Sequence, residues 1–421
     1  MAKRSRCKTT INKIRLLVSD TAPLYPPLWG GPKRVWGLYS NLGDMFDITY
    51  VGVDPSAPSE YRNRKVKDNI REIIQPLSRI YYHFRRFEIK TIKNLTFDIF
   101  TYILMWMDKG FVKELNKHDS DILISSHPWS SPCFRIKKGR IFIYDAHNCE
   151  YLLMKQILAG RWYNKIISFF VKIIEVKACR KARIILVSSG KDKESFMKLY
   201  GIPEDKIFVL PNGTYIERIS EEKGDLSFKK NERPLLLFIG AYYNPNIEAA
   251  KFIAEDVAPA LNWADIAMVG TVSDYFRDKK VPANVKLIGR VDDKELFDWL
   301  KRADIGLNPM FTGSGINMKV LDYFSYSLPV VTTWVGARGL EGVDSRDFIA
   351  CDKDEFIDKI KLLLGDKDMR VRMGKNARQL AENVYDWKKI SLRYGAIIKS
   401  AVEGREDDMI KRNICYRCDR A

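Results

Sequence analysis

Gly313, Ser314 and Gly315 make a loop of small residues that leads through Ile316 and Asn317 into a helix-like stretch at 317–326. The first N–H groups of a helix have no intrahelical partner and the helix dipole adds positive potential there, so such an entry suits a phosphate. Lys319 falls in the first turn, where its ammonium meets the same anion as a point charge. Asp322 follows three residues later on nearly the same helical face, where a carboxylate accepts from ribose hydroxyls. Phosphate donors, a cation and an acid on one helix suit a nucleotide diphosphate. The plainer alternative makes the loop a turn, Lys319 a surface lysine and Asp322 a solvated helix residue.

His127, in ISSHPWSS, and His147, in YDAHNCE, each follow a short apolar run, at 121–125 and 141–144, that reads as a strand. They are two of only four histidines, and both stand where a strand ends. Gly30-Gly31 follows the first strand and lets a backbone approach a substrate closely. A turn histidine is ordinarily structural, and that reading stays open beside a functional one.

The elements that position these residues alternate strand and helix. Strands are predicted at 14–19, 46–53, 121–125, 141–144 and 184–188, with helices at 32–42 and 150–181. The stretch 56–118 is basic and aromatic, and is predicted helical from about residue 70 onward. A polar, charged stretch at 215–232 reads as an interdomain linker. A second alternating series follows, with strands at 235–239, 266–269, 285–288 and 305–307 and helices at 246–261, 293–301, 353–364 and 368–382. Asp292-Asp293 reads as a helix cap and not as a metal ligand pair. Strands alternating with helices imply parallel sheets, with ligands at the carboxyl ends of the strands.

The segment 311–342 resembles the donor-sugar loop of retaining nucleotide-sugar glycosyltransferases of family 4 (group 1), which have the GT-B fold. PLWGGPKR at 27–34, YDAHNCE at 144–150, ARIILVSSGKDKESF at 182–196, VLPNG at 209–213, LLLFIGAYYNPNIEAAKFI at 235–253 and VKLIGRV at 285–291 match the same family in order. The resemblance covers roughly residues 13 to 400. It implies an α/β chain of two Rossmann-like doubly wound domains facing a cleft: 1–214 for the acceptor, 215–386 for the nucleotide sugar, and a helix in 387–421 crossing back. Family members usually carry two glutamates seven residues apart in this loop; here Ser314 and Asp322 stand at those positions. Many also place an Arg and a Lys after the first strand of the second domain, where this chain reads Gly240-Ala241-Tyr242-Tyr243-Asn244-Pro245-Asn246. The diphosphate then falls to Lys319, which also serves catalysis, and to the backbone of Gly315 and Ile316, while Gly240, Gly313, Ser314 and Asn317 are expected among the residues that bind the nucleotide sugar. Gly30, Gly31 and Arg34 contribute across the cleft, and His127 and His147 position the acceptor hydroxyl or the donor sugar. The implied chemistry is retaining hexosyl transfer from a UDP- or GDP-sugar to a glycan or lipid-linked acceptor, as in polysaccharide or glycoconjugate synthesis. It needs no cofactor and no metal.

Of the net charge of +18, residues 1–215 hold 37 Lys/Arg and 20 Asp/Glu, a net of +17, so the C-terminal half is nearly neutral. A basic half faces an anionic partner: a diphosphate, a lipid surface or nucleic acid. Residues 151–183 hold eight Lys/Arg and one Glu among many apolar residues, which suits an anionic membrane surface. With no recognisable nucleic-acid module, no nucleic-acid partner is expected. Two readings stand beside the transferase: a catalytically silent relative that serves another transferase, and a basic nucleic-acid-binding protein. The longest apolar run, 99–107, is too short to span a bilayer, and the basic N-terminus lacks a signal-peptide core, so a cytoplasmic protein, peripheral on the inner membrane face, is expected. Seven scattered cysteines, with Cys415 and Cys418 the sole CxxC, suggest neither a disulfide framework nor a zinc site.

Overall fold

The computed structural model describes residues 13–27, 30–54, 57, 59–76, 102, 105–216, 232–313 and 315–405. Ser314, most of the 215–232 linker, the basic first ten residues, much of the apolar run at 99–107 and the Cys415/Cys418 pair lie outside them.

Two parallel sheets organise the chain. The N-terminal sheet contains β1 (Ile14–Ser19), β2 (Phe46–Val53), β3 (Arg62–Lys67), β4 (Ile70–Gln75), β5 (Ile122–Ser126), β6 (Ile141–Ala146), β7 (Ile184–Val187) and β8 (Ile207–Val209). Their order is β3-β4-β2-β1-β5-β6-β7-β8, parallel except for β3, which runs antiparallel to β4. The C-terminal sheet contains β9 (Leu235–Ile239), β10 (Asp265–Val269), β11 (Val285–Gly289), β12 (Ile305–Asn308), β13 (Val330–Thr333) and β14 (Ile349–Cys351). It is ordered β11-β10-β9-β12-β13-β14, all parallel. Strands such as IILV and LLLFI are apolar on both faces because helices cover both sides of each sheet.

One expectation is corrected here. Residues 70–75, where the sequence predicts a helix to begin, are not helical but form β4, which pairs with β3 in a hairpin at the sheet edge. β3 reads RNRKVK and alternates between half-buried and exposed, so its period is that of a strand and its charges protect an edge.

Helices α1 (Gly30–Ser40), α2 (Lys109–Lys117), α3 (Glu150–Ile157), α4 (Asn164–Lys181) and α5 (Gly190–Tyr200) belong to the first sheet. α6 (Asn244–Phe252), α7 (Asp293–Arg302), α8 (Met318–Ser325), α9 (Phe356–Gly365) and α10 (Lys367–Leu380) belong to the second. Asp292 caps α7 in a reciprocal box with Glu295, the helix-cap role expected of it. α11 (Trp387–Val402) crosses back to the first core, where Trp387, Ile390, Tyr394 and Ile397 join residues of β1, β2 and α1. The contact is close: a Cβ on Gly37 of α1 would lie 2.3 Å from the Trp387 ring.

In both sheets the strand order reverses about a central pair, β1/β5 in the first and β9/β12 in the second. Crevices at such switch points, outside the carboxyl ends of the strands, are where open α/β sheets bind ligands.

Candidate active site

The first switch point gathers Asp20, which follows β1, and His127, which follows β5; His147 follows β6. Asp20 and His147 are buried and His127 nearly so. The His127 and His147 rings lie 4.0 Å apart, and one ligand-type atom from each of Asp20, His127 and His147 falls within 4.8 Å of the others. His127 sits at φ 64°, an unusual conformation for a non-glycine residue, and its Nδ1 lies 3.1 Å from Glu150 Oε1. Burial would lower the His127 pKa, but the Asp20 and Glu150 carboxylates outweigh it and raise it to about 9. Burial and the neighbouring His127 charge push His147 down to about 3. Burial raises Asp20 to about 6 against the pull of His127. At neutral pH the cluster thus holds a charged imidazole, a neutral one and a carboxylate.

Gly30 and Gly31 are the first two residues of α1, which starts two residues before the helix predicted at 32–42. A Cβ on Gly31 would stand 3.8 Å from His147 Nδ1 and 3.9 Å from His127 Nε2, so this glycine borders the cluster. Arg34 is placed differently from the sequence expectation. Its guanidinium is buried and donates to Asp145 Oδ1 at 2.7 and 3.2 Å, to the Leu210 carbonyl at 2.8 Å and to Asn212 Oδ1 at 3.2 Å. It is committed inside the first domain and is not presented to a phosphate across the cleft. The guanidinium and His147 in turn hold the Asp145 carboxyl well below its ordinary range, despite burial.

Gly315 meets this cluster from the other domain, beside His147 and Asn148. Gly313 and Gly315 have φ of 135° and 69°, conformations that side chains rarely adopt. A Cβ on Gly315 would lie 2.7 Å from Asn148 Oδ1, so the loop runs directly against the YDAHNCE turn. Ile316 is buried in the second core, and Asn317 precedes α8 with its amide donating to the Gly336 carbonyl at 3.0 Å. Gly240 follows β9 and is packed against Gly270.

Lys319, half-buried in the first turn of α8, donates to Asn246 Oδ1 at 2.8 Å and lies 4.2 Å from the Phe238 ring centroid. Among the described residues it has no carboxylate partner, and burial lowers its pKa to about 7. A cation held in a low-dielectric spot without a counter-ion is one that an incoming anion stabilises. Asp322 accepts from Thr214 Oγ1 at 3.1 Å, and burial raises its pKa. Its carboxylate is therefore not a solvated helix surface group.

Asp20, Asn246 and the Glu150–His127 contact were missed from sequence. Asp20 carries the same signal that singled out the two histidines, a polar residue at a strand's carboxyl end. Asn246 lies within the stretch that lacks the family's Arg and Lys, but nothing in its local sequence marks it as a partner of Lys319.

Residues 47–218 match the model described as Glycosyltransferase Family 4, and residues 233–366 the model described as Glycosyl transferases group 1. The chain belongs to the group 1, family 4-like glycosyltransferases of GT-B fold. A relative of this glycosyltransferase in Escherichia coli, a UDP-Gal:alpha-D-GlcNAc-diphosphoundecaprenol alpha-1,3-galactosyltransferase, is 22% identical over 90% of this chain and 95% of its own. Sucrose-phosphate synthase from Thermosynechococcus elongatus superposes with a TM-score of 0.71 at 13% identity, covering 93% of this chain and all of the other. Anabaena HepE, solved with UDP and glucose, superposes with a TM-score of 0.60 at 12% identity over 92% of this chain and all of its own. These structural likenesses establish the fold.

Proposed function

We propose that this glycosyltransferase moves a hexose, with retention, from a UDP- or GDP-sugar to a glycan or lipid-linked acceptor in cell-surface polysaccharide or glycoconjugate synthesis. The observation that carries the reading is Lys319: a desolvated ammonium at a helix N-terminus, paired with a neutral amide and not an acid. Lys319 and the backbone of Gly315 and Ile316 hold the diphosphate, and Asp322 accepts from the ribose hydroxyls. The position where relatives have a first glutamate is Ser314 here, so no carboxylate of this loop acts at the sugar. His147 and His127, across the cleft, face the transferred sugar and the acceptor.

In the transfer, the acceptor oxygen bonds to the anomeric carbon on the face from which the phosphate oxygen departs. The leaving oxygen takes the acceptor's proton, so no dedicated general base is required. The protein's part is positioning and charge stabilisation of the departing diphosphate, worth several kcal/mol of barrier. No cofactor takes part, and the diphosphate charge is met by Lys319 and helix N–H groups without a metal.

A lipid-linked acceptor and an anionic membrane surface fit the basic half of the chain, and the E. coli relative is named for an undecaprenol-linked acceptor. On α4 and the turn before it, Trp162, Ile166, Phe169, Phe170 and Ile173 are exposed at helical spacing, with Lys165, Lys177 and Arg180 exposed on the same helix. An apolar stripe among cations is the pattern of a surface that lies on anionic lipid. Among the described residues, no helix is long and apolar enough to cross a membrane.

A thermal-shift panel of UDP-, GDP- and ADP-sugars with the free nucleotides tests the reading. One nucleotide series should stabilise the protein. No shift with any of them would favour a catalytically silent relative.

A further inference from the structure

Glu175 is an acid that the transfer described above does not use. It stands on the packed side of α4, fully buried, and both of its carboxylate oxygens are engaged. Oε1 accepts from Tyr144 Oη at 3.0 Å and from the Glu150 N–H at 2.9 Å. Oε2 accepts from the Tyr151 N–H at 3.1 Å and from Tyr200 Oη. The donors come from β6, from the first turn of α3 and from the last residue of α5. They fill the acceptor sites of a carboxylate, about four in all, so Glu175 has none to offer a substrate. Burial and the neighbouring Glu150 charge raise its pKa to about 7, so above that pH it is the acceptor-only group that these donors require.

Two of the donors are the first backbone N–H groups of a helix, which have no partner within it. A side chain at the N-cap ordinarily accepts from this turn. In α3 the N-cap is Cys149, whose side chain makes no capping bond, and Glu175 takes its place from α4. A negative charge at a helix N-terminus also suits the dipole. The residue held in this way is Glu150. Its N–H is tied to Glu175, while its own carboxylate places Oε1 3.1 Å from His127 Nδ1. Glu150 is 1% exposed, and its Oε2 has no hydrogen-bond partner among the described residues. The seating of Glu150 against His127 therefore depends on the main chain that Glu175 holds.

We propose that Glu175 is a positioning residue of the transfer site: by capping α3 from α4, it holds Glu150 against His127. This rests on the glycosyl-transfer reading, in which His127 faces the sugar and the acceptor. Glu175 touches neither of them and acts through Glu150.

NMR of the four histidine rings as pH is raised tests this, with His127→Gln assigning the His127 signal. Against burial, Asp20 and Glu150 keep His127 charged to about pH 9 in wild type. Glu150→Gln should lower that midpoint by about one pH unit. An amide has a single accepting oxygen, so in Glu175→Gln one of the two α3 N–H groups loses its acceptor in either orientation. Glu175→Gln should therefore reproduce the fall, and adding it to Glu150→Gln should lower the midpoint no further. Hydrolysis of the donor, assayed with UDP-glucose and GDP-mannose, should lose about tenfold in kcat in Glu175→Gln, with KM nearly unchanged. The inference is overturned if the His127 midpoint or kcat is unmoved in Glu175→Gln, or if the two falls simply add, which would be a through-space effect of the Glu175 charge. Should Glu175→Gln not fold, wild type still decides. The Glu150 and Tyr151 amides should exchange hydrogen slowly, and exchange as fast as that of unpaired first-turn amides would overturn the inference. Failure of the underlying reading is distinct: then wild type neither binds UDP or GDP nor hydrolyses their sugars.

Discussion

Lys319 Nζ lies 2.8 Å from Asn246 Oδ1, joining the first turn of α8 to α6 by a bond between a cation and a neutral amide. Surface lysines in proteins commonly face acids; this one faces an amide, an aromatic ring and, at 3.7 Å, the sulfur of Met310. Lys319→Ala should therefore weaken UDP- or GDP-sugar binding at least tenfold, about 1.4 kcal/mol. Calorimetry on the variant checks this, and unchanged donor affinity would remove Lys319 from the diphosphate site.

The same residue predicts a pH dependence. Burial places the Lys319 pKa near 7 in the free protein, and a bound diphosphate raises it by favouring the charged form. Binding thus takes up a proton above pH 7, and affinity should fall as pH rises, by up to about tenfold per unit. UDP-glucose is the suitable ligand because it has no terminal phosphate to titrate. Lys319→Arg keeps its charge and should flatten the profile; an equal slope in both proteins would assign the proton elsewhere.

Asp322, held by Thr214 Oγ1 at 3.1 Å, should matter for the ribose and not for the phosphates. Asp322→Asn should reduce affinity for UDP-glucose more than for pyrophosphate. Equal losses for the two ligands would argue against a ribose contact.

Arg34 should act on stability and not on donor binding. Removing it strands the buried Asp145 charge, a change that costs about 3–5 kcal/mol in comparable buried pairs. Arg34→Ala should lower the denaturation midpoint sharply. If instead stability holds and nucleotide affinity drops, the guanidinium must reach the ligand in a different arrangement.

Transfer should survive chelation. Enzyme treated with EDTA should keep most of its activity, because Lys319 and helix N–H groups meet the diphosphate charge. Activity lost completely and restored by Mg²⁺ or Mn²⁺ would show that a cation shares that task.

The α4 face should bind vesicles containing anionic lipid and release them in raised salt, since each near-surface cation contributes about 1 kcal/mol and is screened within about 8 Å. Lys172→Glu, Lys177→Glu and Arg180→Glu together should abolish co-sedimentation while sparing nucleotide binding. Equal binding to neutral and anionic vesicles, or to neither, would point to a soluble acceptor.

Local pattern alone was enough to locate the two sheets, the Gly313–Gly315 loop and the helix carrying Lys319 and Asp322, because apolar periodicity and glycine placement act over a few residues. It also marked His127 and His147, which stand at strand ends whatever their partners. It failed at 70–75, where pairing of β4 with β2 and β3 decides the outcome. Side-chain partners lay beyond it altogether. Arg34 meets Asp145 from 111 residues away and Lys319 meets Asn246 from 73, and only the docking of α1 on its sheet and of α8 beside α6 sets those distances. Asp20 joins His127 because β1 and β5 are neighbours in space, a consequence of strand order and not of spacing along the chain. Residue types thus determined which chemistry the chain could hold, and the tertiary structure decided which groups remain free to perform it.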